Sequence, residues 1–357
     1  MTDITIDRMM KCFNERISGQ TETKKKLASA IYTHYKLLEM NEKNKDTEGY
    51  VKRSSGNILV YGPSGCGKTE FFRAIHDTFD VPVLTVDIPA ISASGFKGKT
   101  LDDIMNDYIE SNQLNASQGI IIFDEFDKLL DEVKTEGQYG EYAKGLINEF
   151  LKLSEGKEIY CGENDEGPMY LDTTDILMVF MGSFGRLLRE KTEKEQKHAP
   201  GFAMEESSDT KKKEVALSLS DFIKHGLTNE FMGRVSLICE VKQLTKANFR
   251  DILLKSKNSP MMKYMDLMAM EGNRLYFSKK AVSYIVDTAF SLGVGARGLS
   301  RVMDSFMMEL IFAFHGIHNV NIYVTEELMR QGKVPRVKAP SNTAKEIRKL
   351  EDSHLVI

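Results

Sequence analysis

Eight consecutive residues, Gly62-Pro63-Ser64-Gly65-Cys66-Gly67-Lys68-Thr69, combine three glycines with a lysine and a hydroxyl. Glycine permits backbone conformations closed to other residues, so such a loop can curl until its N–H groups converge on one anionic group. Lys68 adds a cation, and Thr69 adds a hydroxyl ligand for Mg²⁺. The spacing G-x-x-x-x-G-K-[ST] cradles the phosphates of a nucleoside triphosphate when a strand precedes it and a helix follows. ATP and Mg²⁺ are therefore the expected ligands, with residues 62–69 around the phosphates. Farther along, Ile120-Ile-Ile-Phe123 runs straight into Asp124 and Glu125. A buried strand that ends in two acids delivers them to the ligand-binding edge of a sheet. Asp124 suits Mg²⁺ held through water. Glu125 suits polarisation of an attacking water, a general-base role that contributes about 10²–10⁴-fold. The alternative, two acids capping the next helix, accounts less well for their position directly after four apolar residues.

These groups need a frame. Asn57-Ile-Leu-Val-Tyr61 reads as a buried strand before the loop, and Phe71, Phe72, Ile75 and Phe79 continue as a helix after it. Val81–Asp87, Gly119–Phe123 and Ile176–Phe180 read as further strands, and residues 24–40 as a helix. Continuous apolar strands separated by helices predict an α/β fold, a parallel sheet covered on both faces. A large P-loop ATPase domain is expected over residues 1–243. Within it, residues 186–216, rich in Lys, Glu and Arg, read as a mobile loop. Residues 244–325 predict a smaller, mainly helical domain whose methionines at 261–270 fill core. Residues 326–357 read as a polar tail.

Composition narrows the classes. With 41% apolar and 28% charged residues, the chain is an ordinary globular protein. A net charge of −4 gives no global basic field, which counts against nucleic acid and anionic lipid as partners. The apolar runs are too short to span a bilayer, and the N-terminus lacks a signal-peptide pattern. Four scattered cysteines form no C-x-x-C pair, so no zinc is expected and a reducing, cytoplasmic setting fits.

Arg234, in Glu230-Phe-Met-Gly-Arg234, and Arg297, in Gly293-Val-Gly-Ala-Arg-Gly298, lie in turn-like settings. Each could stabilise charge developing in phosphoryl transfer or be an ordinary surface arginine. The spacing leaves both open. Ile17-Ser-Gly-Gln20, Ala30-Ile-Tyr-Thr-His-Tyr-Lys36, the phosphate loop, the Asp124-Glu125 strand end, Asp172-Thr-Thr-Asp-Ile-Leu177, Gly226–Arg234 and Gly295-Ala-Arg-Gly-Leu299 extend the pattern. Together they resemble the ClpX family of AAA+ protein unfoldases over residues 15–325. The resemblance implies a homohexamer that threads unfolded or tagged protein substrates through a ring. It implies that Arg234 is a finger acting on a neighbour's nucleotide and that Arg297 is a sensor on the chain's own. It places Ser183 near a further sensor position. It makes Gly95-Phe96-Lys97-Gly98 an aromatic pore loop; alone, those four residues read as an exposed turn.

The resemblance also has departures. The family's N-terminal zinc-binding domain has no counterpart here. Its basic entrance loop is replaced by the acidic Gly162-Glu-Asn-Asp-Glu-Gly167, which implies basic or neutral substrate segments or else an exposed hairpin tip. Its second pore loop is replaced by Glu136–Tyr142. The family's Ile-Gly-Phe tripeptide, which docks a ClpP-type peptidase, is Pro200-Gly201-Phe202 here. Phe202 keeps an apolar anchor, and proline removes aliphatic bulk. Alternatives from other classes are a nucleic-acid motor or loader, a stand-alone remodeller without a peptidase, and an ATP-binding scaffold.

Overall fold

The computed structural model describes residues 4–49, 51–52, 56–91, 100–156, 158–164, 167–197 and 215–331. Phe96, Lys97, Asp165, Glu166, Gly201, Phe202 and the tail beyond 331 lie outside these. The described chain forms two compact units: residues up to 10, 21–63 and 71–241 in the first, and 11–20, 64–70 and 242 onward in the second.

The first unit contains α1 (Ile6–Arg16, shared with the second unit), α2 (Thr21–Asn44), β1 (Asn57–Tyr61), α3 (Lys68–Phe79, also shared), β2 (Val83–Asp87) and α4 (Leu101–Asn112). It continues with β3 (Ile120–Asp124), α5 (Phe126–Val133), α6 (Gln138–Ser154), β4 (Glu158–Asn164), β5 (Gly167–Asp172) and β6 (Leu177–Gly182). Helices α7 (Gly185–Lys197), α8 (Leu219–His225) and α9 (Asn229–Gly233) then lead to β7 (Val235–Glu240). The apolar runs become neighbours in one parallel sheet of order β2-β3-β6-β1-β7. Strands β1 and β6 are buried at every position. Such strands have no solvent face, which is why their sequences do not alternate. Since β1, β6 and β3 are parallel neighbours, their carboxyl ends share one edge of the sheet. Phe123, Phe126, Phe150, Phe180 and Phe231 form a buried aromatic cluster beneath that edge. Phe123 stacks on Phe180 at 5.3 Å and Phe126 on Phe231 at 5.5 Å.

Two expectations need correction. The stretch read as a polar tail from 326 opens as a helix over Glu326–Gln331, with Met329 buried. The segment read as a loop from 186 opens as helix α7, which runs to Lys197. Its charge masks a helical pattern: Arg186 pairs with Glu190 four residues on, and Leu187 is buried.

The second unit comprises α10 (Lys246–Lys255), α11 (Pro260–Met270), β8 (Arg274–Phe277), α12 (Lys279–Ser291), α13 (Arg297–Phe314), β9 (Asn321–Val324) and α14 (Glu326–Gln331). Thr245, Ser259 and Ser278 cap their helices through side-chain oxygens. In the methionine-rich α11, Met261 and Met268 are buried while Met262 and Met270 are exposed. Residues 17–20 strap onto this unit. Gln20 Nε2 donates to Lys242 O at 2.7 Å, and Asn248 Nδ2 donates to Ser18 Oγ at 3.1 Å.

Candidate nucleotide site

The phosphate loop has the backbone its glycines foreshadow. Gly62, Gly65 and Gly67 take φ of 152°, 72° and 96°, values that L side chains rarely adopt. At Gly62 a Cβ would stand 2.0 Å from Val241 O. At Gly65 it would stand 2.3 Å from Val294 O, and at Gly295 2.5 Å from Gly65 O. Two backbones thus approach as closely as glycine allows, and Ala296 N–H donates to Gly65 O at 2.8 Å. The next residue, Arg297, opens α13 and is exposed. Within the second unit, the sensor candidate's turn thus lies against Gly65 of the phosphate loop.

Gly67 differs from Gly65. A Cβ there would meet nothing within 4 Å. Helix α3 begins at the next residue, Lys68, so its positive end follows directly. Glycine-only backbone, open space at Gly67 and a helix N-terminus with Lys68 and Thr69 fit a triphosphate and its Mg²⁺. Cys66 is turned inward, and burial pushes its thiol up in pKa against the opposing pull of Lys68. Glu70 is held by Asn258 Nδ2 at 2.8 Å and Arg16 Nε at 3.7 Å.

In the first unit, Asp124 ends β3 in register with Asp87 of β2. Its Oδ1 accepts the Glu125 N–H at 2.8 Å. Glu125 is left-handed, φ 60° and ψ 29°, a conformation that costs a non-glycine residue on the order of 1–3 kcal/mol. Asp127 accepts from Ser183 Oγ at 2.6 Å and from the Phe184 N–H at 3.1 Å, tying the start of α5 to the end of β6. Gly182 leaves room for that contact: a Cβ there would lie 2.5 Å from Asp127 Oδ1. The Glu125 carboxylate pairs with Lys128, and that hydrogen bond raises the lysine's pKa. Ser183 thus meets Asp127. Asp87, Asp127 and Lys128 were not singled out from sequence, because nothing in their local spacing marks them.

Arg234 follows α9, and its carbonyl accepts the Asn57 N–H at 2.8 Å. Its guanidinium reaches Glu155 Oε1 at 3.4 Å, with its side chain 47% exposed. Its partner in its own chain is therefore Glu155.

Residues 58–183 match the family described as ATPase family associated with various cellular activities (AAA). The ATP-dependent Clp protease ATP-binding subunit ClpX of Bacteroides thetaiotaomicron is 26% identical over 334 residues, spanning 90% of this chain and 80% of that protein. The same-named protein of Bacteroides fragilis is 28% identical over 312 residues, 84% of this chain and 74% of its own. ClpX 2 of Wolinella succinogenes is 26% identical over 312 residues, 84% and 75% respectively. The parallel five-stranded sheet with its mainly helical remainder agrees with these matches. The likeness extends well past the matched ATPase segment, so the chain is similar to ClpX ATPases over 84–90% of its length.

Proposed function

We propose that the chain couples ATP hydrolysis to the unfolding and threading of protein substrates, as one subunit of a homohexameric ring in the cytoplasm. The observation that carries the hydrolytic part is Glu125, forced into a left-handed conformation at the end of β3 beside Asp124. Strain of that kind persists where surrounding structure over-determines it, as function requires. The loop of residues 62–69 binds the phosphates through backbone N–H groups from Ser64 on and through Lys68; Thr69 and Asp124 hold Mg²⁺. When bound, the ion neutralises charge developing on the phosphate oxygens. Glu125 accepts the proton of the attacking water. Arg297 reads the nucleotide of its own chain, and Arg234 reaches that of a neighbour. The large domain spans 1–243 and the small one 244–325. Phe96 and Lys97 grip an extended polypeptide sterically, and Gly201 with Phe202 dock a ClpP-type peptidase. No zinc, membrane or nucleic acid takes part.

The test is ATP-driven loss of fluorescence from a tagged reporter, with and without a ClpP-type peptidase. Wild type should hydrolyse ATP and unfold the reporter. Glu125→Gln should bind nucleotide, lose about 10²–10⁴-fold in rate and leave the reporter intact. Equal, negligible hydrolysis by both would leave only a scaffold. Hydrolysis without unfolding, joined to salt-dependent affinity for DNA, would replace the protein substrate with nucleic acid.

A further inference from the structure

Glu70 places a carboxylate in the first turn of the helix that should receive phosphate. Helix α3 starts at Lys68, so Gly67 is its N-cap residue and Glu70 its third. The Glu70 N–H donates to Gly67 O at 3.2 Å, which closes that turn. A glutamate at this position characteristically reaches back to the N–H of the N-cap residue. Its charge also suits the positive end of the helix. Both tendencies aim the carboxylate at Gly67, beside the open space that fits phosphate. Lys68 offers no counterweight, because residues two apart do not face each other on a helix.

The carboxylate is instead held by two residues distant in sequence. Asn258 Nδ2 donates to Glu70 Oε1 at 2.8 Å, and Arg16 Nε stands 3.7 Å from the same oxygen. The Arg16 and Glu70 side chains are only 10% and 22% exposed, so salt and solvent screen their attraction less than that of a surface pair. The holders are themselves fixed. Ser256 Oγ donates to Arg16 O at 2.9 Å, and the Lys257 N–H donates to Glu15 O at 2.9 Å. The end of α1, the start of α3 and the segment between α10 and α11 thus meet at one carboxylate, all within the second unit.

We propose that Arg16 and Asn258 are positioning residues for nucleotide binding. By holding Glu70 they keep its carboxylate off the Gly67 N–H and leave that donor to a phosphate oxygen. The loop then need not displace an anion of its own chain before it takes the ligand. The proposal rests on the reading of residues 62–69 as the phosphate cradle.

Titration of the full chain with a fluorescent ATP analogue tests it. Arg16→Gln with Asn258→Ala releases Glu70 and should weaken binding about tenfold, the size expected of one charge-assisted capping bond. In hydrolysis the same pair should raise KM and leave kcat near wild type. Glu70→Ala removes the competing carboxylate. Alone it should bind as wild type does, and added to the released pair it should restore affinity. Asn258→Ala alone changes an exposed residue and should show a smaller loss in the same direction, also restored by Glu70→Ala. That second pair decides the matter if the thermal midpoint shows that Arg16→Gln does not fold. Wild-type affinity in the released variants, or a loss that Glu70→Ala does not restore, would overturn the proposal and leave the nucleotide site standing. A wild-type chain that binds no analogue would overturn the phosphate-loop reading and the proposal with it.

Discussion

At the scale of residues, Gly65 and Gly67 share a left-handed backbone and differ in what surrounds them. Alanine at either position pays the left-handed penalty, about 1–2 kcal/mol. Gly65→Ala must also push a methyl group into Val294 O, adding about 1–3 kcal/mol of overpacking. Gly67→Ala meets no protein atom, and its methyl occupies the open space proposed for phosphate. Chemical denaturation followed by circular dichroism should show Gly65→Ala as the less stable protein. Binding of a fluorescent ATP analogue should show Gly67→Ala as folded yet weakened for nucleotide. The reverse ranking would remove the proposed phosphate position. The glycine spacing was legible in sequence because it is local. The contact that makes Gly65 irreplaceable was not, because its partners Val294 and Gly295 lie far along the chain. The same holds for Glu125: its acid type was legible, but its left-handed backbone and the Asp127–Ser183 bond that joins the start of α5 to the end of β6 were not.

At the scale of elements, β1, β3 and β6 were legible because strands buried on both faces are written as unbroken apolar runs. Helix α7 was not, since its charged residues resemble a solvated loop until the burial of Leu187 is known. Of the β4–β5 hairpin only a tip at 162–167 was legible, because its outer face carries polar and aromatic residues in place of a clean alternation. Helix α7 also explains how α8 is fixed. Lys191 donates to Asp221 at 2.7 Å, and Ser218 Oγ donates to the same oxygen at 2.6 Å. Burial alone would raise the Asp221 carboxyl; these bonds outweigh it and hold its pKa down at about 2. Because the folded value lies below the unfolded one, the contribution is full above the ordinary carboxylate range and fades as pH falls through about 2. Asp221→Asn should therefore cost about 1–2 kcal/mol at neutral pH. Urea midpoints of wild type and variant should converge as the pH is lowered from 4 toward 2. A difference independent of pH would show that packing, not charge, fixes α8.

At the scale of the whole molecule, the order of motifs was legible, and a ring was implied only by the family resemblance. A single chain contains no interface with a second copy, so no periodicity could encode one directly. Arg234 has the properties a residue shared between subunits needs. Its bond to Glu155 is long, and both side chains are partly exposed, so breaking it costs little, within the 0–1 kcal/mol typical of exposed ion pairs. A closed head-to-tail ring sets one surface of each subunit against a different surface of the next. In such a ring Arg234 of one copy would serve the Asp124-Glu125 pair of another. Arg234→Ala and Glu125→Gln subunits should each be inactive alone while still binding nucleotide. Mixed and reassembled, some interfaces would join an intact Arg234 from one variant to an intact Glu125 from the other. ATPase activity should then reappear, rise with the fraction of mixed rings and peak near equal proportions. A mixture as inactive as its components, in rings shown by mass spectrometry to contain both subunits, would place the action of Arg234 within its own chain.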